Sequence, residues 1–205
     1  MHELGGHTAR LLAAWGIAWV LAGTVGGCFH PDKTVHLKYE PLPRRPGPSR
    51  GVRIEVGSFE DRRPREEIGV ISSEEGVLAH ARSRGKSVSE WVEEAFAHEL
   101  GIAGFDAVRT AKGAATGEEA ALRVTGDVLD AEVKQQEAVS AEVRLRVTLW
   151  RGRETLYTRT YRGSGGVVHV WGTGKEFNAA LSKALGGALG EAVTEIRAFV
   201  AVGPS

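Results

Sequence analysis

The chain has 205 residues, 42% of them hydrophobic and 25% charged, enough for one folded domain with a sizeable core plus a leader and a linker. Its 26 basic and 26 acidic side chains cancel, which removes any long-range attraction to nucleic acid or to anionic lipid. The single cysteine, Cys28, excludes an intramolecular disulfide, so packing alone must stabilise the domain.

Residues 11–25 carry no charge, follow Arg10 and lead into small residues. This is the layout of a secretory signal peptide, here residues 1–27. The apolar run is short for a membrane span, which needs about 20 residues. Gly16, Gly23, Gly26 and Gly27 further weaken any helix continuing to Cys28. Val25-Gly26-Gly27-Cys28 resembles the lipobox of bacterial lipoproteins: an aliphatic residue, two small ones, then the cysteine whose thiol takes a diacylglycerol. Acyl chains at Cys28 would hold the protein on a membrane. Phe29 stands where aspartate retains many lipoproteins at the inner membrane. The resemblance therefore implies the inner leaflet of the outer membrane, facing the periplasm, in a Gram-negative host.

Residues 28–51 contain five prolines, at 31, 41, 43, 46 and 48, and read as an extended tether. Within it Val35, Leu37 and Tyr39 alternate as in a short strand, and Arg44-Arg45 reads as solvated linker. The folded domain is expected from residue 52 to residue 205.

Val52, Ile54 and Val56 predict a half-buried strand, and Ile68–Ile71 a second short one. Between them Glu60 to Glu67 is a dense mixed-charge stretch, most simply a solvated turn. Its Asp61, Arg62 and Arg63 form a candidate partner patch. Ser87 and Glu90 have capping-box spacing and open a helix whose stripe is Val88, Trp91, Val92, Ala95, Phe96 and Leu100. Gly101 or Gly104 ends it, and Phe105–Arg109 leaves it as a strand. Residues 111–119 read as a loop.

A β-meander follows. In its first strand Leu122, Val124 and Val128 hold one phase, while Leu129, Ala131 and Val133 hold the other, which predicts a bulge or bend near Gly126–Asp130. From Val139 to Leu149 apolar and polar residues alternate strictly, giving one buried and one wet face. After a turn at Arg151-Gly152, Glu154–Arg162 returns. A helix over about residues 174–200 closes the chain, with Gly186, Gly187 and Gly190 marking close packing against the sheet or a bend. The predicted class is α+β: a mostly antiparallel sheet of about four to six strands with two main helices on one face.

Beyond the lipobox, these features together resemble the YajG-like family of bacterial lipoproteins. The matching segments are Thr34-Val35-His36-Leu37 to Pro41, Val52–Val56 followed by Asp61-Arg62, and Leu100-Gly101-Ile102-Ala103-Gly104-Phe105. The Leu122–Trp150 strands and Phe177-Asn178-Ala179-Ala180-Leu181 complete the match. The resemblance implies an envelope location and an α+β domain, and no established reaction.

Catalytic patterns fail on spacing. His98-Glu99 begins like a zinc-protease motif, but Ile102 replaces the second histidine, so the pair reads as helix surface and no metal site is expected. Gly172-Thr173-Gly174-Lys175 lacks the gap of a phosphate loop and reads as a turn with Thr173 as helix N-cap. Ser164-Gly165-Gly166 and Ser72-Ser73 lack a nucleophile-elbow context. Trp150 and Trp171 suit either an exposed binding patch or the core. The expectation is a membrane-anchored, non-enzymatic accessory or scaffold domain of an envelope complex. It would need no cofactor and would have a protein partner rather than nucleic acid. The alternative is a binding module for a small molecule, lipid or glycan, using a groove between helices and sheet.

Overall fold

The computed structural model describes residues 32–48, 51–73, 76–110, 122–168 and 173–202. The expected lipidation site Cys28, its neighbours Val25, Gly26 and Gly27, Trp171 and the 111–119 loop lie outside the described residues. Among those described, the order is β1 (Lys33–Val35), β2 (Arg53–Asp61), β3 (Gly69–Ser73), β4 (Gly76–Ser83), α1 (Val88–Ile102), β5 (Asp106–Arg109), β6 (Leu122–Gln135), β7 (Val139–Arg151), β8 (Glu154–Val167) and α2 (Gly174–Val202).

Two helices on an α+β sheet agree with expectation, but the sheet has eight strands rather than four to six. The extra ones are short or weakly patterned: β4 buries only Ala79 and Ala81. The antiparallel expectation holds for β6–β7–β8 and for β3–β4. It fails elsewhere, because β1 runs parallel to β4, β2 parallel to both β5 and β6, and β3 parallel to β6. Parallel neighbours need a crossover, and α1 supplies the one that brings β5 beside β2.

Helix α1 starts as its sequence dictates. The Ser87 side chain accepts from the Glu90 amide at 3.2 Å, and the Glu90 carboxylate accepts from the Ser87 amide at 3.0 Å. The helix ends at Ala103, and Gly104 follows at φ +92°, a conformation that favours glycine. At the start of α2 the Thr173 hydroxyl accepts from the Lys175 amide at 3.3 Å, as an N-cap does.

Both helices cover one face of the sheet. Trp91 and Phe96 of α1 are fully buried on the β2 side, with Phe96 against Phe59, and Phe177, Leu181, Leu185 and Leu189 of α2 are fully buried over β7 and β8. The fit against β8 is tight. A Cβ on Gly163 would lie 1.9 Å from the Ala184 carbonyl oxygen, and one on Gly165 would lie 2.2 Å from that of Ala180. This explains why β8 runs on to Val167 through a glycine-rich stretch, past the expected end at Arg162.

The expected tether is not free over its described part. From Asp32 onward the chain belongs to the same compact unit as the helices, with Val35 and Leu37 buried. The Lys38 amide donates to Asn178 Oδ1 at 2.9 Å, and Ser182 Oγ donates to the Lys38 carbonyl at 3.0 Å. Proline forbids ladder pairing here but not docking against a helix. Two of the α2 glycines make room for this segment rather than for the sheet. A Cβ on Gly186 would meet the Tyr39 hydroxyl at 3.2 Å, and one on Gly190 would meet Arg44 Nη2 at 2.5 Å. Of the three predicted positions, Gly187 alone faces the sheet, at Gly163.

Candidate functional site

Strand β6 carries two partners in succession on one of its edges. β2 pairs with its first half, Ile54 to Asp61 lying along Leu122 to Val128. β3 pairs with its end, Gly69 to Ile71 lying along Val133 to Gln135. The chain leaves this edge at Arg62, whose amide donates to the Val128 carbonyl at 2.9 Å. It returns at Ile68, whose carbonyl accepts from the Val133 amide at 2.8 Å. The register of β6 against β7 slips between Val128 and Asp130, with Leu129 as the extra residue. The expected bulge is therefore present, and it lies where β2 gives way to β3.

The charged segment 60–67 fills this joint. It was expected as a solvated turn, and the structure corrects that for Arg63, whose side chain is only 6% exposed. Arg63 clamps the Asp61 carboxylate through Nε and Nη2 at 2.9 and 2.8 Å, and its Nη1 donates to the Glu67 carbonyl at 3.2 Å. Arg62 turns outward, to Glu60 at 2.5 Å and Asp127 at 3.9 Å. Of the candidate patch, Asp61 and Arg63 thus act together as a brace, and Arg62 joins the neighbouring sheet surface. Burial opposes ionisation of Asp61, but the Arg63 hydrogen bonds and charge outweigh it and hold the carboxyl below its ordinary range. Asp130 across the joint behaves oppositely. Burial, then the charge of Glu132, push its carboxyl above the ordinary range. Arg63, Pro64, Arg65, Glu67, Glu132 and Lys134 line a groove of about 250 Å³ here.

The joint opens onto the face of the sheet that, among the described residues, neither helix covers. In register across β6 and β7, Arg123 stands opposite Trp150, Thr125 opposite Thr148, Asp127 opposite Arg146, and Asp130 opposite Arg144. Strand β8 extends these rows, with Thr158 beside Thr148, Thr160 beside Arg146, and Arg162 beside Arg144. Asp127 takes Arg146 at 3.3 Å, and the Thr148 and Thr158 hydroxyls meet at 3.0 Å. Trp150 belongs to this face. Its Nε1 donates to Thr125 Oγ1 at 2.8 Å, and the Arg123 guanidinium lies 5.4 Å from its ring centre. The result is a broad polar surface of paired charges and hydroxyls, suited to recognition by hydrogen bonds.

Sequence reasoning missed one polar cluster on the helix side. Glu99, expected on the helix surface, is 1% exposed and holds Tyr39 at 2.5 Å and Arg44 at 3.0 Å. Arg44, expected in a solvated linker, also donates to the Gly186 carbonyl at 3.1 Å. Every member binds another part of the chain, so the cluster is a clasp between segments. Among the described residues no group of three His, Cys, Asp or Glu is placed to hold a metal ion, and no helix is long and apolar enough to cross a membrane.

No protein-family model and no curated protein matches the chain. Solved structures do. Lipoprotein GNA1162 from Neisseria meningitidis is 15% identical, covering 73% of this chain and 98% of its own, with a TM-score of 0.36. A putative neuraminyllactose-binding hemagglutinin homolog from Helicobacter pylori is 10% identical over 77% and 92%, with a TM-score of 0.44. Both scores fall short of a shared fold. Protein XCC0632 from Xanthomonas campestris, of the DUF330 family, is 15% identical over 83% of this chain and 94% of its own, with a TM-score of 0.50. The chain is thus similar in fold, over most of its length, to a DUF330-family protein.

Proposed function

We propose that this chain is a lipid-anchored, non-enzymatic interaction protein of the bacterial cell envelope, of the YajG-like kind. Cys28 would be the acylated residue, and the domain would face the periplasm from the outer membrane. The observation that carries the interaction reading is the bare sheet face, with ordered rows of Arg, Thr and acidic side chains across β6, β7 and β8. A flat polar surface of this kind suits a protein partner, which reads it through many hydrogen bonds and complementary charges. The anchor reading rests on Val25-Gly26-Gly27-Cys28 and on Cys28 being the only cysteine.

Two experiments test the two halves separately. Cys28→Ser should lose acyl mass and move the protein from the membrane to the soluble fraction; retention on the membrane refutes the lipid anchor. Charge reversal at Arg144 and Arg146 in the anchored protein should abolish a specific species crosslinked in cells. If the crosslinked species persists unchanged, the bare face is not the docking surface.

A further inference from the structure

Among the described residues three large apolar side chains stand in solvent: Val77 at 60%, Leu78 at 40% and Val168 at 94% exposure. Strand register gathers all three at one end of the sheet. Val77 pairs with Ser72, just beyond Ile71, and Ile71 lies beside Gln135. Gln135 faces Val139, which in turn faces Val167, the residue before Val168. Leu78 is the extra residue of a bulge, since Ile71 pairs with Ala79 and Ser72 with Val77. The bulge breaks the alternation that would turn one of two successive side chains inward.

The N-terminal entry to the domain lies at the same end. β1 runs parallel to β4 with Lys33 opposite Ala81, and the His80 amide donates to Asp32 Oδ1 at 3.1 Å. Asp32 is thus three strand positions from Val77, on the side nearer the hairpin turn. Cys28 precedes Asp32 by four residues, at most about 14 Å of chain.

Exposed apolar residues scattered singly over a surface are ordinary. Here the whole set is collected where the chain enters. We propose that this end of the domain rests on the bilayer, with Val77, Leu78 and Val168 entering the lipid interface beside the anchor. The inference builds on the lipid-anchored reading above. A tether of four residues keeps these side chains at a high effective concentration against the membrane, so a small apolar patch suffices. The contact is apolar rather than electrostatic, because the net charge is zero and Glu74-Glu75 lie next to the patch in the sequence. It stands the sheet upright, with the β7–β8 turn at Gly152 pointing away from the lipid.

The test uses the full protein purified from membranes and reconstituted in phosphatidylcholine vesicles. Val77→Cys, Val168→Cys and Arg153→Cys each receive an environment-sensitive fluorophore, with the parent chain labelled in parallel as the Cys28 background. Spin-labelled lipid should quench positions 77 and 168 at least about twofold more than position 153, and raised salt should leave that unchanged. Equal quenching at all three positions overturns the proposal. The intact mass of the same samples reports acylation separately. If acyl mass is missing, the lipoprotein reading fails, while the background-corrected quenching still decides whether this end touches lipid.

Discussion

The Tyr39 hydroxyl donates a 2.5 Å hydrogen bond to Glu99 Oε1, joining the N-terminal segment to helix α1 across 60 residues of chain. Burial and then this bond push the phenol above its ordinary range, so it stays a donor at any physiological pH. Tyr39→Phe removes a hydrogen bond to a charged group and should cost about 1.5–3 kcal/mol. Glu99→Ala strands Arg44 as well and should cost about 3 kcal/mol or more. Urea unfolding checks both, and a Glu99→Ala midpoint equal to that of the parent chain would refute the clasp.

The close approach of α2 to β8 makes a second prediction. Even one methyl group at Gly163 collides with the Ala184 backbone, which cannot swing aside as a side chain would. Gly163→Ala should cost about 3 kcal/mol or more. Gly166→Ala is the control, because its Cβ would lie 3.5 Å from the nearest atom, Val139 O. Thermal unfolding of the two variants should differ clearly in midpoint.

The two aspartates of the β6 joint predict opposite pH dependences. Asp61 is held below its ordinary pKa of 3.8, so it stabilises the fold above that pH and loses this as pH falls through its folded value. Asp61→Asn should therefore destabilise at neutral pH, by less than about 1 kcal/mol because the pair is partly exposed. Asp130 is raised, so its charge is a penalty that is full at neutral pH and vanishes below 3.8, where both states are protonated. Asp130→Asn should stabilise modestly at neutral pH. Both variants should converge on the parent chain in acid, as denaturant titrations at several pH values would show.

Deleting Leu129 tests the bulge. Without it, Asp130 follows Val128 directly, so Asp130 still pairs with Arg144, and Ala131 and Val133 stay on the buried side in unbroken alternation. The variant should keep a cooperative thermal transition. Loss of that transition would mean that the β2–β3 joint itself requires the extra residue.

How much of this was legible in the sequence follows from which forces are local. The Ser87–Glu90 cap, the alternation from Val139 to Leu149 and the phase change around Leu129 are set by neighbouring residues, and all three are found in place. Parallel pairing of β2 with β6 depends on a crossover elsewhere, and the pattern Val52-Ile54-Val56 reads the same in either direction. Glu99 sits next to His98 in a helix with an apolar stripe and carries no sign of the Tyr39 and Arg44 that bury it. The glycines at 163 and 165 look like strand breakers until the helix backbone against them is seen. Asp61, Arg62 and Arg63 stand out in the sequence as a run of charges. How they divide is not legible, because nothing in the run itself marks Arg63 rather than Arg62 as the one that folds back on Asp61 and the Glu67 carbonyl.

The docking of residues 38–44 on α2 has a consequence for the order of folding. Lys38, Glu40 and Arg44 find partners 140, 142 and 142 residues downstream, on the last helix of the chain. A ribosome delivers the first of these groups long before the last, so the clasp cannot close during most of synthesis. Contacts of such long sequence separation also slow folding once the chain is complete. A nascent chain built this way cannot close these contacts until the first half of α2 has been made.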